Sequence, residues 1–373
     1  MSTKFKISKK SIIEPLRVAY SVINNANLNQ TLTGILFVAS DSKLELIAIN
    51  ENISCKCVIH DVKVETSGSV LVKGKMISEM IAKIKDGDID CEVVDNSVLR
   101  VSSGTFSADI NILDADLFPE VTLEADDTYQ KVEVESDFLT NLSNKIIPAA
   151  DVNSERYTVY SSVLIDSERL DGFIEAIASD NIQLAYLKHP YTGGTKTKIV
   201  ISASIFKYIK TVLKGQHVSI SVKNSSAIIV LGDFTFSCRL VESPYPSAVK
   251  AIEAQCDYSA IINKAAFLDA VERGFVVASS ENKTPLRLTI SSDSLRIASR
   301  SIDVGTSYEE VPLSGYSGQN ITVTLNARYV ANVLKCIEGD NVCLQFSSES
   351  KPFTFKQSND DSYKALIMPL RNY

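Results

Sequence analysis

Ile84-Lys-Asp-Gly-Asp-Ile89, Val212-Leu-Lys-Gly-Gln-His-Val218 and Cys336-Ile-Glu-Gly-Asp-Asn-Val342 read as one segment written three times. Their glycines, Gly87, Gly215 and Gly339, stand 128 and 124 residues apart. Counting back three, six and ten from each gives Ile84, Ile81, Ile77; then Val212, Ile209, Ile205; then Cys336, Val333, Tyr329. Steps of three and four gather such side chains on one face of a helix. The glycine just past each stretch predicts a C-cap, because it takes the left-handed conformation without strain.

The pattern extends on both sides. A β-rich run precedes each helix: Ser69–Val72, Lys198–Ser202 and Ile321–Leu325. Alternating runs follow each glycine: Ile89-Asp-Cys-Glu-Val-Val to Leu99-Arg-Val, Val218-Ser-Ile-Ser-Val to Ile228-Ile-Val-Leu, and Val342-Cys-Leu-Gln-Phe. Period-two alternation marks half-buried antiparallel strands. A further block recurs, with Gly104-Thr-Phe before Leu117-Phe-Pro119, Gly232-Asp-Phe before Pro244-Tyr-Pro246, and Pro352-Phe-Thr-Phe before Leu366-Ile-Met-Pro-Leu370. Each copy opens with a strand and a helix, at Lys9 to Asn25, Ser136 to Ala150 and Asn263 to about Val277. The chain therefore reads as α+β, with three tandem copies at 1–128, 129–254 and 255–373.

Its 373 residues carry a net charge of −7, which argues against wrapping nucleic acid by bulk attraction. No run of about 18 apolar residues is present, and the start of the chain shows no apolar leader. Seven scattered cysteines without a C-x-x-C pair predict free thiols in a reducing cytoplasm. Cys55 and Cys57, two apart in an alternating run, are expected on one strand face.

Catalytic constellations are missing from the sequence. His60, His189 and His217 lie in different copies without metal-ligand spacing. Gly68 to Gly74-Lys75 has one residue too many for a phosphate loop, and Met76 stands where Ser or Thr belongs. Gly315-Tyr-Ser-Gly318 is not a nucleophile elbow. Asp114/Asp116, Asp126/Asp127 and Asp360/Asp361 fall in turns, as does Asp180. The reading is a non-enzyme without metal or cofactor. Basic residues, in contrast, gather on predicted helices: Lys207, Lys210 and Lys214 in one with no acid, and Lys9, Lys10 and Arg17 in another.

The triplicated unit, Asp233-Phe-Thr-Phe-Ser-Cys-Arg-Leu-Val-Glu-Ser-Pro-Tyr-Pro246, the ending Leu366-Ile-Met-Pro-Leu-Arg371, Asp116-Leu-Phe-Pro119 and Ile177-Ala-Ser-Asp180 together resemble the bacterial DNA polymerase sliding clamp, the beta subunit of the replicative polymerase. The resemblance spans the chain. It implies a head-to-tail homodimer closed into a six-domain ring around double-stranded DNA, with helices lining the hole. Twelve helices about 8–10 Å apart make a circle roughly 30–38 Å across. Subtracting helix radii leaves about 20–28 Å, enough for a duplex with a layer of water.

The resemblance implies DNA-facing candidates Lys9, Lys10, Arg17, Lys73, Lys75, Lys145, Lys207, Lys210, Lys214, Lys264 and Lys335. It implies a pocket for short linear motifs of polymerase and clamp-loader subunits, mapped to Ser179, Asp180, Leu184, Pro246, Lys250, Leu366, Met368, Pro369, Leu370 and Arg371. The dimer seam maps to Phe106 and Ala108 on one side and Val276 and Val277 on the other. The usual Gly-His-Arg-Leu after the aspartate is replaced by Asn181-Ile-Gln-Leu184. An arginine common in the family is replaced by Lys250. A monomeric relative that only binds peptides is the alternative the same residues allow.

Overall fold

The computed structural model describes residues 3–152, 159–246, 248–281 and 283–371. The chain begins with β1 (Lys4–Ser8), α1 (Lys9–Val22), β2 (Gly34–Ser40), β3 (Lys43–Ile49), β4 (Ile53–Ile59), β5 (Val62–Thr66), β6 (Gly68–Lys73), α2 (Gly74–Lys83), β7 (Asp88–Val94), β8 (Val98–Ser103) and β9 (Phe106–Leu113). It continues with β10 (Gln130–Val134), α3 (Ser136–Asn141), β11 (Ser162–Asp166), β12 (Phe173–Ser179), β13 (Gln183–Pro190), β14 (Lys198–Ser202), α4 (Phe206–Val212), β15 (Val218–Lys223), β16 (Ser226–Leu231), β17 (Phe234–Arg239) and α5 (Val249–Ile252). It ends with β18 (Tyr258–Asn263), α6 (Lys264–Ala278), β19 (Pro285–Ile290), β20 (Ser294–Ser301), β21 (Gly305–Ser317), β22 (Ile321–Asn326), α7 (Ala327–Cys336), β23 (Asn341–Phe346), β24 (Phe353–Gln357) and β25 (Tyr363–Ile367). One order of elements thus recurs three times, with β21 doing the work of β4 and β5 in a single long strand and no counterpart of β5 in the middle copy among the described residues.

Compactness divides the chain differently. One unit is Met1–Asp137 with Ile205–Leu240; the other is Phe138–Ser204 with Val241–Tyr373. The first holds a 13-stranded antiparallel sheet in the order β10-β15-β16-β17-β4-β3-β2-β6-β9-β8-β7-β1-β5. The second holds a 12-stranded one, β14-β11-β12-β13-β25-β24-β23-β18-β21-β20-β19-β22. The middle copy contributes strands to both. Its β17 pairs with β4, and its β13 pairs with β25.

Alternation puts the apolar face inward. In β4 the pattern buries Ile53, Cys55, Cys57 and Ile59, and the two thiols share a face. The helices close over that face. α1 buries Ile12, Leu16, Val18, Ala19 and Val22, and α2 buries Ile77 and Ile81. Each large side chain so buried contributes about 1.5–3 kcal/mol.

Three sequence expectations are corrected. The repeated glycines are not the helix caps: the cap residues are Ile84, Leu213 and Ile337, all with extended backbone. Gly87, Gly215 and Gly339 lie further on, with φ of +151°, +82° and +78°, and turn the chain into the next strand. The middle copy's first helix is broken, with α3 followed by a π-turn at Leu142–Ile146 and a tight turn at Ile147–Ala149 that contains Pro148. Finally, the Phe-Thr-Phe of the third copy forms β24, the counterpart of β8 and β16 rather than of β9 and β17.

Candidate nucleic-acid and peptide interfaces

Lys9 and Lys264 open equivalent helices and serve the same purpose. The Lys9 ammonium donates to the carbonyls of Ile84 at 2.5 Å and Ala82 at 3.2 Å, at the C-terminal end of α2. Lys264 donates to the Ile337 carbonyl at 3.1 Å, beyond the end of α7. Cations satisfy the orphan carbonyls and favourable dipole of a helix C-terminus. Three more of the DNA-facing candidates are ion-paired: Lys145 with Glu338 (2.5 Å), Lys214 with Glu14 (2.7 Å) and Lys335 with Glu272 (2.7 Å). Lys10, Arg17, Lys73, Lys75, Lys207 and Lys210 are exposed, and no ion-pair partner lies within 4 Å of them among the described residues.

The peptide-pocket candidates fall into two groups. Ser179 and Asp180 shape the turn between β12 and β13. Asp180 Oδ1 accepts from the backbone N–H of Ile182 (2.9 Å) and Gln183 (2.8 Å), and Ser179 donates to the Gln183 carbonyl (2.7 Å). Leu184 lies directly opposite Leu366 across β13 and β25, and the Met368 N–H donates to the Ile182 carbonyl at 2.8 Å. Leu184, Val200 and Tyr245 pack on a cluster of Leu164, Ile177, Tyr186, Ala248 and Ile252. Pro246 lines a cavity of about 360 Å³ beside this cluster. Lys250 is exposed on α5.

Pro369 and Leu370 line a different cavity, of about 300 Å³, with Arg287, Thr322 and Glu349. Leu370 is held there by its N–H to the Thr324 carbonyl at 2.8 Å, and Arg371 is exposed. No described tail residue lines the 360 Å³ cavity, so the tail candidates and Pro246 fall on separate cavities.

Sequence reading missed the polar wall of the 360 Å³ cavity, formed by Asp166, Arg169, Glu175 and Lys198. Glu175 is 1% exposed inside the apolar strand β12. Arg169 grips it with two guanidinium nitrogens, Nε at 2.7 Å, and reaches Glu253 beyond α5 at 2.6 Å. The Tyr186 hydroxyl donates to the same carboxylate at 2.5 Å. Burial, and then the Glu175 carboxylate, hold the Tyr186 pKa well above its usual value. The available signal was a lone acid in a run of buried residues, which requires a partner.

Of the seam candidates, Phe106 is 41% exposed at the start of β9. Phe106 and Ala108 line a large open groove of about 1070 Å³ with Met76, Met80 and Ile84. Val276 is 68% exposed on α6, and Val277 is partly buried.

Among the described residues no group of three His, Cys, Asp or Glu could hold a metal ion. The cysteines are free, and burial pushes the thiols of Cys91 and Cys238 up to about 12, out of the reactive range.

Two junctions of identical build define the class. At the first, Lys56 of β4 lies opposite Thr235 of β17, and the Val58 N–H donates to the Asp233 carbonyl at 2.9 Å. At the second, Tyr186 of β13 lies opposite Lys364 of β25, and the Lys188 N–H donates to the Ser362 carbonyl at 2.7 Å. Ion pairs between neighbouring copies accompany both, Glu14 of α1 with Lys214 just past α4, and Lys145 of the π-turn with Glu338 just past α7. Helix-covered antiparallel units joined edge to edge in this way are the build of a DNA clamp.

Comparison with known proteins agrees. Residues 3–124 match the DNA polymerase III beta subunit N-terminal domain, and residues 251–371 match the C-terminal domain of the same subunit. The chain belongs to the DNA polymerase III beta subunit family. It is 23% identical over 380 residues to the beta sliding clamp of Bacillus subtilis, covering 99% of this chain and 100% of that one. It is 24% identical over 389 residues to the beta sliding clamp of Staphylococcus aureus, with 99% and 100% coverage. The crystal structure of the Bacillus subtilis DNA polymerase sliding clamp superposes with a TM-score of 0.92 at 23% identity, over the whole of both chains. The DNA polymerase III beta subunit of Pseudomonas aeruginosa, solved bound to griselimycin, superposes with a TM-score of 0.90 at 19% identity, again over both whole chains.

Proposed function

We propose that the chain is a DNA sliding clamp, a non-catalytic processivity subunit. It consists of three clamp domains, 1–128, 129–254 and 255–373, and closes as a head-to-tail homodimer around double-stranded DNA. The observation that carries this reading is a third junction left open. Ile47-Ala48, Ile177-Ala178 and Ile297-Ala298 occupy the same place in their hairpins, so their cross-strand partners Lys56, Tyr186 and Glu309 correspond. Two-residue turns closed by Ser103–Phe106 and Leu231–Phe234 make Ser107 the counterpart of Thr235.

At the two filled junctions these places are paired. In β9 the segment Phe106–Asn111 pairs with β8 alone, and in β21 the segment Gly305–Pro312 pairs with β20 alone, among the described residues. Register transfer puts Glu309 opposite Ser107 of a second copy and Tyr308 opposite its Ala108. The Val311 N–H then donates to that copy's Thr105 carbonyl. Tyr308 at this open edge is 65% exposed, whereas its counterpart Cys55 at the filled junction is 0% exposed. Heterologous head-to-tail contacts close into a ring when the rotation allows it.

An acidic exterior with a thinly basic helical surface suits a protein that surrounds DNA rather than gripping it. The expected result is retention on closed circular DNA and release once the circle is cut. Equal retention on both forms overturns the reading, and a monomer in light scattering favours the peptide-binding alternative. A cytoplasmic location belongs to this proposal; no helix among the described residues is long and apolar enough to cross a membrane.

Polymerase and clamp-loader peptides dock, in this reading, beside the Pro246 cavity, where Leu184, paired with Leu366, packs on the cluster that borders it. Apolar anchors in a preformed groove suit short peptides. Replacing Leu184 with Asp is expected to weaken a bound polymerase-tail peptide by about tenfold or more in fluorescence anisotropy, since it desolvates a charge at the anchor site. An unchanged affinity moves the pocket elsewhere.

A further inference from the structure

We propose that duplex DNA is held electrostatically chiefly by one of the two compact units, on the surface of α1, α2 and α4, while the paired lysines of the other unit make no phosphate contact. This rests on the sliding-clamp reading.

The first unit keeps its cations free. α1 packs against both α2 and α4. Ile12, Leu16 and Ala19 turn α1 toward the sheet, which leaves Lys10 and Arg17, seven residues apart, on the opposite face. In α4 the residues Phe206, Ile209 and Val212 point inward, and Lys207 points away from them with Lys210 at its flank. In α2, Ile77 and Ile81 are inward and Lys75 is outward. The acids of these three helices are Glu14, already bonded to Lys214, and Glu79.

The second unit has spent most of its helix cations. Opposite its buried Phe267, Ala270, Val271 and Gly274, α6 presents Asp269 and Glu272. Lys335 of α7 is committed to Glu272, Lys145 of the π-turn to Glu338, and Arg273 to Glu309. Lys264 caps α7. Arg328 is left exposed without an ion pair among the described residues. Recruiting the paired lysines to phosphates means breaking existing ion pairs. The free cations of the first unit only displace counterions, which is the favourable step in phosphate binding.

The test is binding of a linear duplex oligonucleotide to the full-length protein over a salt series. The first variant combines Lys10→Gln, Arg17→Gln, Lys207→Gln and Lys210→Gln. It is expected to bind at least tenfold more weakly at low salt, with the log–log salt slope falling by about three to four, since each phosphate contact contributes about 0.9. The second combines Lys145→Gln and Lys335→Gln, both ion-paired, and is expected to change affinity less than twofold at an unaltered slope. Equal losses in both variants, or no loss in the first, overturn the proposal. Light scattering shows whether the variants keep their assembly. If the first does not, Lys207→Gln with Lys210→Gln alone must still lower the slope by about two. Loss of retention on circular DNA by the unsubstituted protein counts against the clamp itself. Equal responses of the two variants with that retention intact count only against this partition.

Discussion

Ser107→Pro is expected to convert a dimer of about 82 kDa, twice the chain mass of 40.8 kDa, into a monomer. The argument is one of hydrogen-bond parity. The turn at Gly104-Thr105 is closed by Ser103 and Phe106, so that pair exchanges the hairpin's own ladder bonds. Alternation then points the N–H and C=O of Ser107 away from β8. The filled junction confirms the parity at the equivalent strand, where the Asp233 carbonyl points outward to receive the Val58 N–H. Proline at 107 therefore removes no bond from the monomer, and edge strands tolerate it. In the assembled ring it deletes a ladder bond to Glu309 and sets a pyrrolidine ring against the incoming strand, and the stranded carbonyl alone costs about 1–3 kcal/mol at each seam. Ser107→Thr keeps the N–H and is expected to stay dimeric. Light scattering decides: a Ser107→Pro protein that remains a dimer with a native circular-dichroism spectrum removes β9 from the seam.

Local features of the fold were legible, and long-range ones were not. Ile77, Ile81, Ile205 and Ile209 are buried as their spacing required, because a helix sitting on a sheet exposes its pattern within four residues. Tyr329 and Cys336 are only partly buried, and the Cys336 thiol donates to the Asn144 carbonyl in the π-turn of the middle copy. The displaced strand in the third copy has a similarly physical cause. The glycines at 104 and 232, with φ of +58° and +56°, are demanded by two-residue hairpins. The third copy's last hairpin spans residues 358–362 instead, so its glycine signal is gone. The fate of the lysines lay beyond sequence reading. Glu14 and Lys214 are 200 residues apart, and Lys145 and Glu338 are 193 apart. Nothing in a single helix tells a free cation from a paired one; the partner comes from the next copy of the repeat.

Arg169→Ala is expected to lower the stability of the protein by about 3–5 kcal/mol, the penalty for stranding a buried charge. Glu175 lies inside β12 with Ile174, Ala176, Ile177 and Ala178, all buried, and its carboxylate depends on Arg169 and the Tyr186 hydroxyl. Removing the guanidinium leaves one neutral donor on an ion held away from water. Glu253→Ala tests the outer arm of the same bridge. Glu253 is largely exposed, so its contribution is screened and the expected loss is below about 1 kcal/mol. The paired replacement Arg169→Met with Glu175→Leu takes away both charges and is expected to recover most of the loss, because an apolar pair of similar volume needs no desolvation. The consequence for function follows from position. Arg169 ties β12 to the segment after α5, and Arg169, Glu175 and Pro246 line the same cavity. The Arg169→Ala protein should therefore lose peptide affinity along with stability, and the paired replacement should restore stability first. Equilibrium urea unfolding with peptide titration of each variant separates the two effects. An Arg169→Ala midpoint that corresponds to a loss under about 1 kcal/mol would mean that water reaches Glu175, and that this wall of the cavity is open rather than sealed.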